Sequence, residues 1–149
     1  MNKDHTLEEA YTQIARIQRL GYTYAAHIMT GVAGKGRGEE NALALAAFIN
    51  RTRPESITNF SIFLHRRAPL WKDIEAGRFE PADEGENLRE ERLLLENLTV
   101  DSLKYDGFHD LIEFRVRGTL PHDREKMLHQ LDTAITRQDV LPPVYAVVE

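Results

Sequence analysis

The residues best suited to chemistry fall in one stretch, Tyr24 to Trp71, where a glycine turn and a basic loop each follow an apolar segment. The turn, GVAGKGRG, places Gly31, Gly34, Gly36 and Gly38 within eight residues. Glycines let backbone N–H groups approach a ligand, and a helix starting just after them adds its positive end, so such a turn can cradle phosphate. The spacing satisfies neither GxxxxGK followed by Ser or Thr nor a clean GxGxxG, which leaves a plain strand-to-helix connection as the competing reading. The basic loop is His65, Arg66 and Arg67. Two guanidiniums beside an imidazole suit a carboxylate or phosphate through fork-shaped donation, with a solvated loop as the alternative.

Other chemistry finds less support. The six histidines, at 5, 27, 65, 109, 122 and 129, form no HxH or HExxH pattern, and only His122 and His129 could share a helix face. His27 lies inside an apolar segment and reads as a hydrogen-bonded core residue. No serine sits in a nucleophile elbow. The adjacent pairs Glu39–Glu40 and Glu90–Glu91 read as solvated helix faces.

The elements that must position these residues follow from periodicity. Thr6 as N-cap, Glu9 at the capping-box position and the stripe Leu7, Ala10, Tyr11, Ile14 and Ile17 predict a helix stopped at Gly21. Tyr22 to Thr30, uncharged and apolar, predicts a strand buried on both faces. A helix from Glu39 toward Pro54 and a strand from Ser56 to His65 then complete a βαβ pattern with parallel pairing. Trp71 to Gly77 predicts a short helix or turn, Arg78 to Glu86 a loop, and Asn87 to Leu98 an amphipathic helix. Val100 to Lys104 and Leu111 to Arg117 predict an antiparallel strand pair around Tyr105 to Phe108. Pro121 opens a last helix over His122 to Arg137, followed by an extended tail. The pattern changes between Leu98 and Asp101, which marks a seam.

The segments IMTGVAGKGRGEENALALAAFIN, ITNFSIFLHRRAPLWKDIEAGRF, LREERLLLENL and GTLPHDREKMLHQLD resemble the C-terminal half of radical SAM enzymes. The resemblance is closest to the iron–sulfur oxidoreductases near oxygen-independent coproporphyrinogen oxidase, and it runs from about Thr6 to Thr136. It implies an α/β fold: the C-terminal part of a partial TIM-like (β/α)6 barrel over residues 1–99, with a small α+β extension over 100–149. Tyr22 to Thr30 would be the fifth strand and Ser56 to His65 the sixth. In the family, a GxIxGxxE-like motif after the fifth strand packs against the adenine of S-adenosylmethionine. Here His27 stands for the first glycine, Met29 at the apolar position, Gly31 at the next glycine and Gly34 in place of the glutamate. The resemblance thus implies that Met29, Gly31, Val32 and Gly34 face the cofactor, and that His65, Arg66 and Arg67 lie near the mouth where cofactor and substrate meet.

Radical SAM chemistry needs three cysteines, usually CxxxCxxC, to hold a 4Fe-4S cluster, and this chain of 149 residues has none. The resemblance therefore implies that cluster and S-adenosylmethionine belong to a parent oxidoreductase, that the missing N-terminal half of the barrel is this chain's partner, and that the chain alone holds no cofactor and is inactive. A competing reading is a non-catalytic binding or interaction module for a small anionic ligand. A third is a small metal-free phosphate-binding enzyme. With 24 acidic against 19 basic side chains, a net charge of -5 gives no general attraction to nucleic acid, and no apolar run is long enough to span a membrane. The expected location is the cytoplasm. Unpaired sheet edges lead us to expect self-association into a homo-oligomer.

Overall fold

The computed structural model describes residues 4–149. The first helix begins as its capping signal predicts: the Glu9 N–H donates to the Thr6 hydroxyl and the Thr6 N–H to the Glu9 carboxylate, opening α1 (Leu7–Arg19). The Thr6 N–H, and then the Thr6 hydroxyl, both donating to the Glu9 carboxylate, hold that carboxyl below its ordinary pKa. No residue of α1 is buried. It meets the rest of the chain through Tyr11, whose ring lies 5.2 Å from that of Phe48 and 3.6 Å beneath the Arg51 guanidinium, and through the Gln18 amide, which donates to the Thr52 carbonyl at 2.6 Å.

A four-stranded sheet organises the remainder of the chain. β1 (Ala25–Thr30) and β2 (Ser56–Ser61) pair in parallel around α2 (Gly38–Thr52), the βαβ unit that the sequence predicts. A two-residue β3 (Leu64–His65) and α3 (Pro69–Glu75) come next, and then α4 (Glu84–Asn97), capped by Asp83 and Glu86. After α4 the structure departs from expectation. Tyr105 to Phe108 is not a turn between short strands but the middle of β4 (Leu103–His109), which pairs in parallel with β2. The reversal comes later, in the 3-10 turn Asp110–Ile112 with Glu113 at φ 50°, and β5 (Phe114–Leu120) returns antiparallel to β4. The sheet order is β1-β2-β4-β5, so it crosses the seam expected near residue 99. The fold is mixed α/β with a mostly parallel sheet.

Helices α2, α4 and the final α5 (Arg124–Gln138) cover one face of this sheet, with α4 packed between the other two. Ile49, Leu88, Leu95, Met127 and Leu131 close against Ile57, Tyr105 and Val116, and each fully buried aliphatic side chain contributes about 1.5 to 3 kcal/mol. The tail then crosses back to the carboxyl ends of the parallel strands. The Glu84 N–H donates to the Val144 carbonyl and the Leu64 N–H to that of Ala146, and β6 (Val147–Val148) pairs with β3.

Among the described residues, no helix packs on the opposite face of the sheet. β1 is therefore buried on one face only, contrary to the two-sided burial expected from its apolar content: Ala26 and Thr30 are buried, while His27 and Met29 are exposed. Register and alternation arrange the bare face as a grid. Met29, Phe60, Phe108 and Arg115 lie abreast at the carboxyl end of the parallel strands. His27, Thr58, Asp106 and Arg117 form the next row, and Ala25, Ser56, Lys104 and Thr119 the last.

Candidate functional site

The carboxyl ends of β1, β2 and β4 are tied together by carboxylates of α4. Glu84, Glu90 and Glu91 are 1%, 3% and 0% exposed, so Glu90–Glu91 is not the solvated pair that its composition suggests. Their phase explains why: Glu84 and Glu91 fall on the same helical stripe as Leu88, Leu95 and Leu98. A buried carboxylate needs partners, and each has them. His109, at the end of β4, bridges two of the three, Nδ1 lying 2.7 Å from Glu84 and Nε2 2.8 Å from Glu91. The Tyr105 hydroxyl (2.7 Å) and the Asn59 amide (3.1 Å) both donate to the other oxygen of Glu91.

The electrostatics follow from this enclosure. Burial alone would lower the His109 pKa, but the hydrogen bonds to Glu84 and Glu91 outweigh it and raise it to about 9, so the ring is an imidazolium donating from both nitrogens. Burial, and then the negative Glu91, push the Tyr105 phenol well above its ordinary value. With His109 fully enclosed, this cluster touches no solvent and acts as a brace rather than as an acid–base centre.

Glu90 reaches the glycine turn. It accepts from the Gly31 N–H at 3.0 Å and from Asn41 at 2.6 Å, and burial raises its pKa. Further along, the Gly36 N–H donates to Glu86 at 2.9 Å and the Gly34 N–H to the Gly31 carbonyl. The turn that resembles a phosphate cradle thus already holds two protein carboxylates. Gly31 is required where it stands, at φ 80°, because a Cβ would lie 2.6 Å from Asn87 Oδ1 and 2.9 Å from Ile62.

Outside the brace, β1 is an edge strand, and a groove of about 690 Å³ runs beside it. Tyr24, His27, Ile28, Met29, Val32, Leu45, Phe48 and Phe60 are among the residues that line it. His27, expected in the core, stands exposed here, stacked 6.4 Å from Phe60, because the face it occupies has no helix above it. Of the four residues that the resemblance assigns to a cofactor, Met29 and Val32 present apolar surface to this groove. Gly31 and Gly34 line the turn behind it, their N–H groups engaged within the protein.

No family model, curated protein or solved structure matches this chain. The residues themselves bear on the two cofactors of the resemblance. Met29 and Val32 offer the groove apolar surface, and the 149 residues include no cysteine, the usual ligand of a 4Fe-4S cluster.

The basic loop stands on the small β3–β6 ribbon, apart from the groove. The Arg67 N–H donates to His65 Nδ1 at 3.0 Å, and Arg66 stacks 4.9 Å from the Trp71 ring and pairs with Glu149 at 3.4 Å. Among the described residues no hydrogen bond or ion pair joins His65, Arg66 or Arg67 to the glycine turn. Sequence reasoning missed Asn59, Glu84, Glu90, Glu91, Tyr105 and His109. The signal that could have found them is the phase of the glutamates with the leucines of α4.

Proposed function

We propose that this chain is the C-terminal part of the barrel of a cytoplasmic radical SAM iron–sulfur oxidoreductase. In this reading its partner is an N-terminal half that supplies the remaining strands and the cluster cysteines. The observation that carries the reading is the one-sided sheet: parallel strands with helices on one face, a bare opposite face, and an unprotected parallel edge at β1. A (β/α) barrel has this cross-section, with helices outside and strand side chains turned inward. Edge strands of independent domains are usually blunted by charge, proline or a covering loop, and β1, AAHIMT, carries no such device.

Within this reading, Met29 and Val32 supply apolar surface for the adenine of S-adenosylmethionine. Glu90 fixes the turn behind them, and the rows of the bare face line the substrate space. Cluster and S-adenosylmethionine together supply radical generation in the assembled enzyme. His65, Arg66 and Arg67 stand at the strand ends, toward the mouth.

The test begins with the DNA upstream of Met1, which should encode CxxxCxxC in frame. Anaerobic reconstitution of that segment with this chain should then release 5′-deoxyadenosine from S-adenosylmethionine, and Met29→Glu should suppress the release. An upstream stop codon beside a functional promoter, with no turnover on reconstitution, would overturn the proposal. In that case the reading left standing is a binding module for a small anion, which Arg66→Gln and Arg67→Gln would disable.

A further inference from the structure

The lower half of the bare face is a second hollow, well away from the glycine turn. Open to solvent, it offers about 560 Å³ at the amino ends of β2 and β4, where Ser56, Thr58, Lys104, Asp106, Arg117 and Thr119 are among its lining residues. Register places Ser56, Lys104 and Thr119 abreast, with Thr58, Asp106 and Arg117 beside them. Its chemistry differs from that of the rest of the chain. The whole chain carries a net charge of -5, whereas here two guanidiniums face one carboxylate.

Asp106 accepts from Arg115 at 2.7 and 2.6 Å and from Arg117 at 2.8 Å. Arg115 is thereby used twice over, held by both carboxylate oxygens and lying 4.0 Å over the Phe108 ring. Arg117 donates through a single nitrogen, and among the described residues its remaining N–H groups have no acceptor. Lys104 pairs with Glu55 at 3.3 Å, an exposed contact of the kind that yields readily to a stronger partner. The hydroxyls of Ser56, Thr58 and Thr119 make no hydrogen bond among the described residues. Above the hollow, the Phe60 and Phe108 rings stack 5.4 Å apart and 12° from parallel, between His27 and the Arg115 guanidinium, and their edges offer a narrow apolar ledge.

We infer that this hollow binds a small organic anion, its phosphate or carboxylate held by Arg117, Lys104 and the three hydroxyls, and its apolar body resting along Phe60 and Phe108. Donors converging from three strands beside an aromatic ledge are the usual makeup of a small-molecule site, and guanidinium recognises both oxyanions. The site is built wholly from this chain; in the barrel reading it lies on the face that lines the substrate space, but the donors that form it do not depend on that reading.

Isothermal titration of the full chain with phenyl phosphate, benzoate, phenol and inorganic phosphate tests it. At least one aryl anion should bind about tenfold or more tightly than phenol and inorganic phosphate, and the preferred one tells phosphate from carboxylate. Arg117→Gln, an exposed change that leaves the core intact, should weaken that anion about tenfold without altering phenol. Phe108→Leu should weaken the aryl anion and leave inorganic phosphate unchanged. Absence of aryl-anion binding, or binding indifferent to Arg117→Gln, overturns the inference. So does a single-stranded oligonucleotide binding in preference to every small anion. None of these readouts depends on a cluster or on radical chemistry, so failure here is distinct from failure of the barrel proposal.

Discussion

Glu91 and Gly107 compete for one place: a Cβ on Gly107 would lie 1.9 Å from Glu91 Oε1. Glycine at this point of β4 lets the carboxylate descend onto the sheet, where Asn59, Tyr105 and His109 surround it. The α4 brace therefore depends on a residue that makes no side-chain contact of its own.

Gly107→Ala should displace Glu91 and leave a buried charge short of partners, lowering stability by about 3 kcal/mol or more in urea denaturation. Gly36→Ala is the control. Its φ of 72° is strained for alanine but nothing lies within 4 Å, so the loss should be near ~1 kcal/mol. Equal losses would show that Glu91 has other ways to seat itself.

Stability should fall on the alkaline side. His109 is raised from an unfolded value of 6.5 to about 9, so its contribution is complete below the former and disappears as pH rises through the latter. A tenfold difference in proton affinity between the folded and unfolded chain is worth about 1.4 kcal/mol, which makes the fall a few kcal/mol. The Tyr105 phenol, also stabilised in its protonated form, adds to the loss only above its ordinary value of 10.0. Urea midpoints measured across this range should decline in the wild type and stay level in His109→Asn.

Core and bare face should differ in how much truncation costs them. Leu95→Ala, at a fully buried position, should cost about 2 to 5 kcal/mol. Met29→Ala, at a position 38% exposed, should change thermal stability by less than about 0.5 kcal/mol, although it borders the groove.

The free edge of β1 should make the isolated chain self-associate. Light scattering at high micromolar concentration should report a mass above that of one chain, and Met29→Lys should return it to the monomer, because a lysine on an edge strand opposes pairing. A monomeric wild type under these conditions would remove the edge as a docking element.

Much of this architecture is legible in the sequence, and the illegible parts share a cause. The capping box at Thr6, the βαβ order and the last helix, expected over His122 to Arg137 and found at Arg124–Gln138, all rest on local rules, and each stands in the structure. The middle of β4 escapes such rules because Asp106–Gly107 has the composition of a turn. Gly107 is there for a helix that precedes it in the chain, and that requirement is tertiary. The same holds for Glu90 and Glu91, whose charge argues for solvent while their helical phase argues for the core. His27 departs from expectation for the reverse reason: an apolar strand suggests two covered faces, and this sheet has one.

Fastening Gly31 through Glu90, and His109 through Glu84 and Glu91, to a single helix has a consequence for how the molecule can diversify. Distances among the strand ends are set by α4 and not by the segments that join them. The 3-10 turn Asp110–Ile112 can then lengthen, shorten or change composition while the platform keeps its dimensions.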